Sequence, residues 1–109
     1  MSYDVDLTIA TSSFPQAERH IVFETNVTFN VSRMWSAGGF DLKEWHGKPV
    51  TEVIPALQDI IQKMEESPWI YFPLQPKNGW GSYHGCLSWL RGLLGECVKH
   101  DLTTFEVYC

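Results

Sequence analysis

The stretch from residue 20 to residue 32 limits what this chain can become more than any other. Ile21, Phe23, Thr25, Val27, Phe29 and Val31 alternate there with Val22, Glu24, Asn26, Thr28, Asn30 and Ser32. Successive side chains of a strand point to opposite faces, so this pattern predicts one long strand with a core-sealing face and a polar face. Such a strand needs partners. Val5, Leu7 and Ile9 alternate over residues 4–11 and supply an antiparallel neighbour, across a loop that begins Ser12-Ser13-Phe14-Pro15. Residues 103–109 alternate again, with Phe105 and Val107 in phase, and predict a closing strand.

Two helical patterns lie between the second and last strands. Val53, Leu57, Ile60, Ile61 and Met64 recur at helical spacing, predicting a helix over 51–66 with Thr51 as its cap. Pro55 is tolerable because it lies near the helix start, and Pro68 limits the far end. Ser82 caps a second helix with Leu87, Leu90, Leu94, Cys97 and Val98 as its buried stripe, ending near Lys99. Arg33-Met34-Trp35-Ser36 reads as the exit from the strand, and Ala37-Gly38-Gly39 as a break. The apolar run 69–76 carries Pro73 and Pro76 and reads as an extended or irregular segment packed on the core. The order is β-β-α-α-β. It predicts a single α+β domain, an antiparallel sheet of about three strands with two helices packed on one face.

Composition excludes several functions. The formal charge is −5, with only 8 Lys and Arg spread along 109 residues, which does not suit a duplex nucleic acid. No apolar stretch approaches a membrane span, and the start of the chain lacks a secretory pattern. With an odd set of three cysteines, this reads as a cytoplasmic protein with reduced thiols. No Cys-x-x-Cys or His-Glu-x-x-His occurs, and His84 and Cys86 would point to different sides of a helix. No metal, cofactor or catalytic acid–base set is expected, and therefore no enzyme.

Two stretches carry the candidate chemistry. Asn26, Thr28 and Asn30 form a polar row that is either a solvated sheet face or a hydrogen-bonding ladder for a base edge or ribose. Asn78-Gly79-Trp80-Gly81-Ser82-Tyr83-His84-Gly85 is either a tight turn with Trp80 plugging the core or a ligand loop. In the second case the glycines admit close approach, the following helix N-terminus attracts phosphate, and Trp80 and Tyr83 stack on a base. It is not a P-loop, because no Gly-Lys-Ser or Gly-Lys-Thr follows. Arg33, Lys77 and Arg91 lie nearby in sequence and offer positive charge. The candidate ligand-binding set is Asn26, Thr28, Asn30, Arg33, Trp35, Asn78, Trp80, Tyr83 and His84. Trp35, Trp45, Trp69 and Tyr71 in irregular segments also suit a protein interface, with core filling as the other reading of Trp69 and Tyr71.

Asn26-x-Thr28-x-Asn30-x-x-x-Met34, with Asn78-Gly79-Trp80-Gly81-x-Tyr83-x-Gly85, resembles a family of small bacteriophage-encoded proteins, over about residues 21–109. The resemblance implies a phage protein acting in the host cytoplasm. Compact phage accessory proteins of this type include immune-evasion proteins. One class sequesters a nucleotide-derived signal such as a cyclic nucleotide or an ADP-ribose-type molecule, and another blocks a host defence protein by contact. Capture of a nucleotide-like molecule without cleavage is the expected function, with a homo-oligomer if the pocket is shared between chains. The alternatives are a protein-binding inhibitor and an accessory protein with no small-molecule ligand.

Overall fold

The computed structural model describes residues 1–10 and 19–109, so the expected loop after residue 11 lies outside the described residues, apart from its last position. Among the described residues four strands form one sheet: β1 (Ser2–Ala10), β2 (Arg19–Thr28), β3 (Lys48–Pro49) and β4 (Thr104–Tyr108). Their order is β2-β1-β4-β3, and every neighbouring pair is antiparallel. The helices are α1 (Ser32–Ala37), α2 (Val50–Glu66), α3 (Pro68–Tyr71) and α4 (Tyr83–Lys99). The α+β class and the antiparallel sheet are as expected. The count is not: a two-residue fourth strand and two short helices add to the predicted elements.

Each difference has a local cause. Strand β2 stops at Thr28 because the Thr28 hydroxyl accepts from the Asn30 N–H at 3.3 Å. That bond caps a 3-10 turn over Phe29–Val31, which leads into α1. Val31 is still buried, so the apolar alternation ends in the core by another geometry. The segment expected to be extended is instead helical. Pro68 occupies the first turn of α3, and Pro73 that of the following 3-10 turn at Phe72–Leu74; proline is pre-set for those positions, where its missing N–H costs nothing. Thr51 is not the cap of α2. The helix starts one residue earlier, with Pro49 at its cap and the Val50 N–H donating to the Thr103 carbonyl at 3.0 Å.

The core lies between one sheet face and the two long helices. Val5, Leu7, Val27, Phe105 and Val107 from the sheet meet Val53, Leu57, Ile60 and Met64 of α2 and Cys86, Leu87, Leu90 and Cys97 of α4. Leu93 completes the α4 stripe, whereas Val98 is 56% exposed. The opposite sheet face carries Asp4, Asp6, Thr8, Glu24, Asn26, Glu106 and Tyr108, and none of the helices among the described residues packs its buried stripe there.

The single polarity switch along β2 fails at one point. Leu7 pairs with Phe23, but Thr8 pairs with Ile21, so Val22 is an extra residue in a β-bulge. Directly opposed residues share a face. Ile21 therefore stands with Thr8 on the open face and not with Phe23. Arg19, two residues further out, is on that same face and reaches Glu106 at 3.0 Å.

Candidate functional site

The loop between α3 and α4 is folded onto the end of β2. The Asn78 side-chain oxygen accepts from the Trp80 N–H at 2.9 Å, closing a turn. Gly81 then takes φ +118°, open to glycine alone, and lies against the strand end. A Cβ there would come within 2.8 Å of Val31 Cγ1 and 3.5 Å of Thr28 Cγ2. The two sequence motifs thus meet in space. Two of the free donors of the α4 N-terminus are already satisfied by side chains, and the first intrahelical bond follows them. The Tyr83 N–H donates to Gln75 Oε1 (3.1 Å), the Gly85 N–H to the Ser82 hydroxyl (2.9 Å), and the Cys86 N–H to the Ser82 carbonyl (2.9 Å). Ser82 is the cap that the sequence predicts, and with Gln75 it takes up two of the donors that a phosphate would need.

The nine candidate residues do not form one cluster. Trp35 and Tyr83 are core, and neither faces a ligand. Tyr83 donates its hydroxyl to the Met64 carbonyl at 2.6 Å. Residue 68, which would satisfy that carbonyl within the helix, is a proline without an N–H. Asn26 lies on the open sheet face, donating to Ser2 Oγ (2.9 Å) and Asp4 Oδ1 (2.7 Å). Thr28 is a half-buried cap, while Asn30 is exposed near it and His84 is exposed on the first turn of α4, against the Tyr83 ring. Arg33 and Asn78 come together, lining a concavity of about 470 Å³ with Pro73, Gln75, Pro76 and Lys77. A second concavity of about 520 Å³ shares Pro73, Gln75, Pro76 and Lys77 and continues to Phe72, Gly79, Gly81 and Ser82. Trp80 lies between those glycines in sequence and is 71% exposed, so it does not plug the core.

Charge separates this region from the rest of the surface. Arg19, Lys63 and Arg91 each have a carboxylate partner, and Lys43 lies over the Tyr3 ring. Arg91 is therefore engaged with Glu65 and not with the motifs. Lys48 and Lys99 have no such partner among the described residues, and neither do Arg33 and Lys77, which alone of these four are brought together. Arg33 and Lys77 line the same concavity, and no carboxylate lines it with them. In a chain of net charge −5, that is a local reversal of sign. Gln75 is the lining residue that sequence reasoning misses; its only sequence signal is its place between Pro73 and Pro76.

The open sheet face has the opposite character. Asp4, Asp6, Glu24, Asn26 and Tyr108 line a concavity of about 510 Å³ there. Asp6 pairs in register with Glu24 on one side and Glu106 on the other. Burial pushes the Asp6 carboxyl up, and the Glu24 and Glu106 charges push it further. Burial also pushes Glu106 up. Hydrogen bonds from Thr8 (2.5 Å) and Tyr108 (2.6 Å), with the Arg19 charge, outweigh it and hold Glu106 below its ordinary value.

The sign for Asp6 follows from its raised folded-state pKa. The folded chain binds that proton more tightly than the unfolded chain, so this contribution is full at acid pH and lost as pH rises through the folded value. Asp6→Asn should therefore stabilise the fold at neutral pH by about 0.5 kcal/mol, the scale of a like-charge cross-strand pair. Urea denaturation of both proteins at neutral and acid pH checks this. The gain should vanish below the carboxylate range, and an equal gain at both would contradict the charge origin.

Burial pushes the Cys86 and Cys97 thiols up to about 12, which removes them as nucleophiles at neutral pH. Cys109 is exposed. Among the described residues no group of three or more His, Cys, Asp or Glu is arranged to hold a metal ion, and no helix is long and apolar enough to cross a membrane. No family model, curated protein or solved structure matches this chain. The functional reading therefore rests on the site itself.

Proposed function

We propose that this protein binds a nucleotide-like anion at the Arg33–Lys77 concavity and holds it without cleaving it. The observation that carries this reading is that Arg33 and Lys77, without a carboxylate partner among the described residues, line one hollow with no described carboxylate, and that an exposed Trp80 follows its lining residue Asn78 by two positions in the chain. Arg33 and Lys77 would pair with phosphate oxygens. The Asn78 and Gln75 oxygens are used within the loop, which leaves their amide N–H groups as donors. Trp80 offers a face for a base, worth about 1–3 kcal/mol. The family resemblance supplies the biological context, a phage protein that sequesters a host immune signal.

The test is a thermal-shift and calorimetric panel of cyclic nucleotides, ADP-ribose forms and NAD. A ligand at about 100 times its Kd adds about 2.7 kcal/mol and should raise the midpoint by roughly 10 °C for a domain of this size. Arg33→Ala with Lys77→Ala should leave the ligand-free midpoint unchanged and weaken binding by about 100-fold or more. A flat panel, or binding that survives the double variant, would sink the assignment. A second reading, contact with a host defence protein, is favoured by Trp69, Ile70 and Phe72, which are exposed on α3 and the turn after it. In a defence-inhibition assay it requires Trp69→Ser with Ile70→Ser to abolish activity while the double cation variant retains it.

A further inference from the structure

The end of the molecule formed by the α4–β4 turn and the outer part of the β1–β2 hairpin carries a feature that the ligand reading does not use. The turn His100–Thr103 is tightly pinned. The Thr103 N–H and hydroxyl both donate to the His100 carbonyl, at 3.1 and 2.6 Å, and the Thr103 carbonyl accepts from Val50. At its third position stands Leu102, 91% exposed. Leu102 has no positive φ, so the turn accepts most residue types there, and its side chain makes no contribution to the core. Leu102 is an apolar knob held out on a rigid support.

A matching hollow lies beside it. The bulge at Val22 turns that residue toward the helix side, where β1 also presents Ile9. The α4 helix ends at Lys99, and Ile9 and Val22 are left 37% and 38% exposed. Together with Lys99, Asp101 and Leu102 they line a concavity of about 220 Å³. Knob and hollow are thus adjacent on one surface, the condition for an isologous contact in which each copy fills the other. Lys99 and Asp101 flank the hollow, and neither has a partner among the described residues. A two-fold axis through the patch would set each against its opposite in the second copy.

We propose that the protein self-associates through this surface, with Leu102 of each copy seated between Ile9 and Val22 of the other and Lys99 facing Asp101 across the axis. The patch is smaller than the roughly 800 Å² per partner of a standard stable interface. The dimer is accordingly weak and concentration-dependent. It is independent of the Arg33–Lys77 concavity, which lies on other elements.

Sedimentation equilibrium tests the proposal on the full chain, from about 1 μM to about 1 mM. The weight-average mass should rise from 12.5 kDa toward twice that value. Leu102→Asp changes a fully solvated side chain, so its thermal midpoint should match the wild type while its dimer weakens by about tenfold or more. Lys99→Glu and Asp101→Lys should each weaken the dimer, and the two together should restore it. A wild-type mass that stays monomeric over the whole range overturns the proposal. A dimer that Leu102→Asp leaves untouched also overturns it, because association would then use another face, such as the free edge of β2.

Discussion

Trp35→Ala should unfold most of what holds this domain together, at a cost of about 3–5 kcal/mol. Trp35 is almost fully buried and stands at the centre of the aromatic packing. Its ring centroid lies 5.9 Å from Tyr3, 5.9 Å from Trp89 and 6.3 Å from Phe40. Those contacts join β1, α4 and the segment after α1. The Phe40 N–H also donates to the Trp35 carbonyl at 3.0 Å, so the ring and the chain reversal beside it are set together. Alanine leaves a cavity that these three segments would have to close, and a small domain has only about 5–15 kcal/mol in total. The midpoint of thermal unfolding should fall by roughly 15 °C or more. A ligand-facing tryptophan would behave differently, with stability unchanged and binding lost. A midpoint within a few degrees of wild type would return Trp35 to the candidate site.

Tyr83→Ala should cost about 3–4 kcal/mol for a related reason, and Tyr83→Phe separates its two parts. The ring packs with Phe72 at 6.0 Å and closes the space between α2 and α4. The hydroxyl completes the end of α2, because Pro68 cannot donate to Met64. Tyr83→Phe keeps the packing and strips that carbonyl of its partner, for a loss of about 1–2 kcal/mol. Chemical denaturation of the two variants should therefore rank wild type, phenylalanine and alanine in clear steps. If phenylalanine equals wild type, water replaces the hydroxyl and the carbonyl is not sealed. If alanine equals phenylalanine, the ring is not part of the core.

The candidate site was legible in part. Arg33, Asn78 and Trp80 are surface residues of one region, as the motifs suggested, and their convergence with the strand end follows from Gly81 packing on Thr28 and Val31. Asn26 went to the other side of the sheet, because β2 shows its polar row to the open face while the loop meets only its last residues. Tyr83 follows a glycine-rich loop, which resembles a ligand site in any sequence; only its angular position on α4 turns it inward. The network of Thr8, Glu106, Tyr108 and Arg19 left no sequence signal. Its members are ordinary strand residues, far apart in the chain, which the sheet order β2-β1-β4 brings together.

What the sequence determined by itself was local. Alternation specified β1, most of β2 and β4, helical spacing specified α2 and α4, and Ser82 specified where α4 begins. These are properties of neighbouring residues, set by backbone period and capping chemistry. The tertiary structure decided the strand order, the bulge that sends Ile21 to the open face, and which aromatics are covered. Trp35 and Tyr83 are buried while Trp69 and Trp80 are exposed, although all four sit in or beside irregular-looking segments of the sequence. Burial is decided by what remote parts of the chain bring to each side chain, and no local pattern records that.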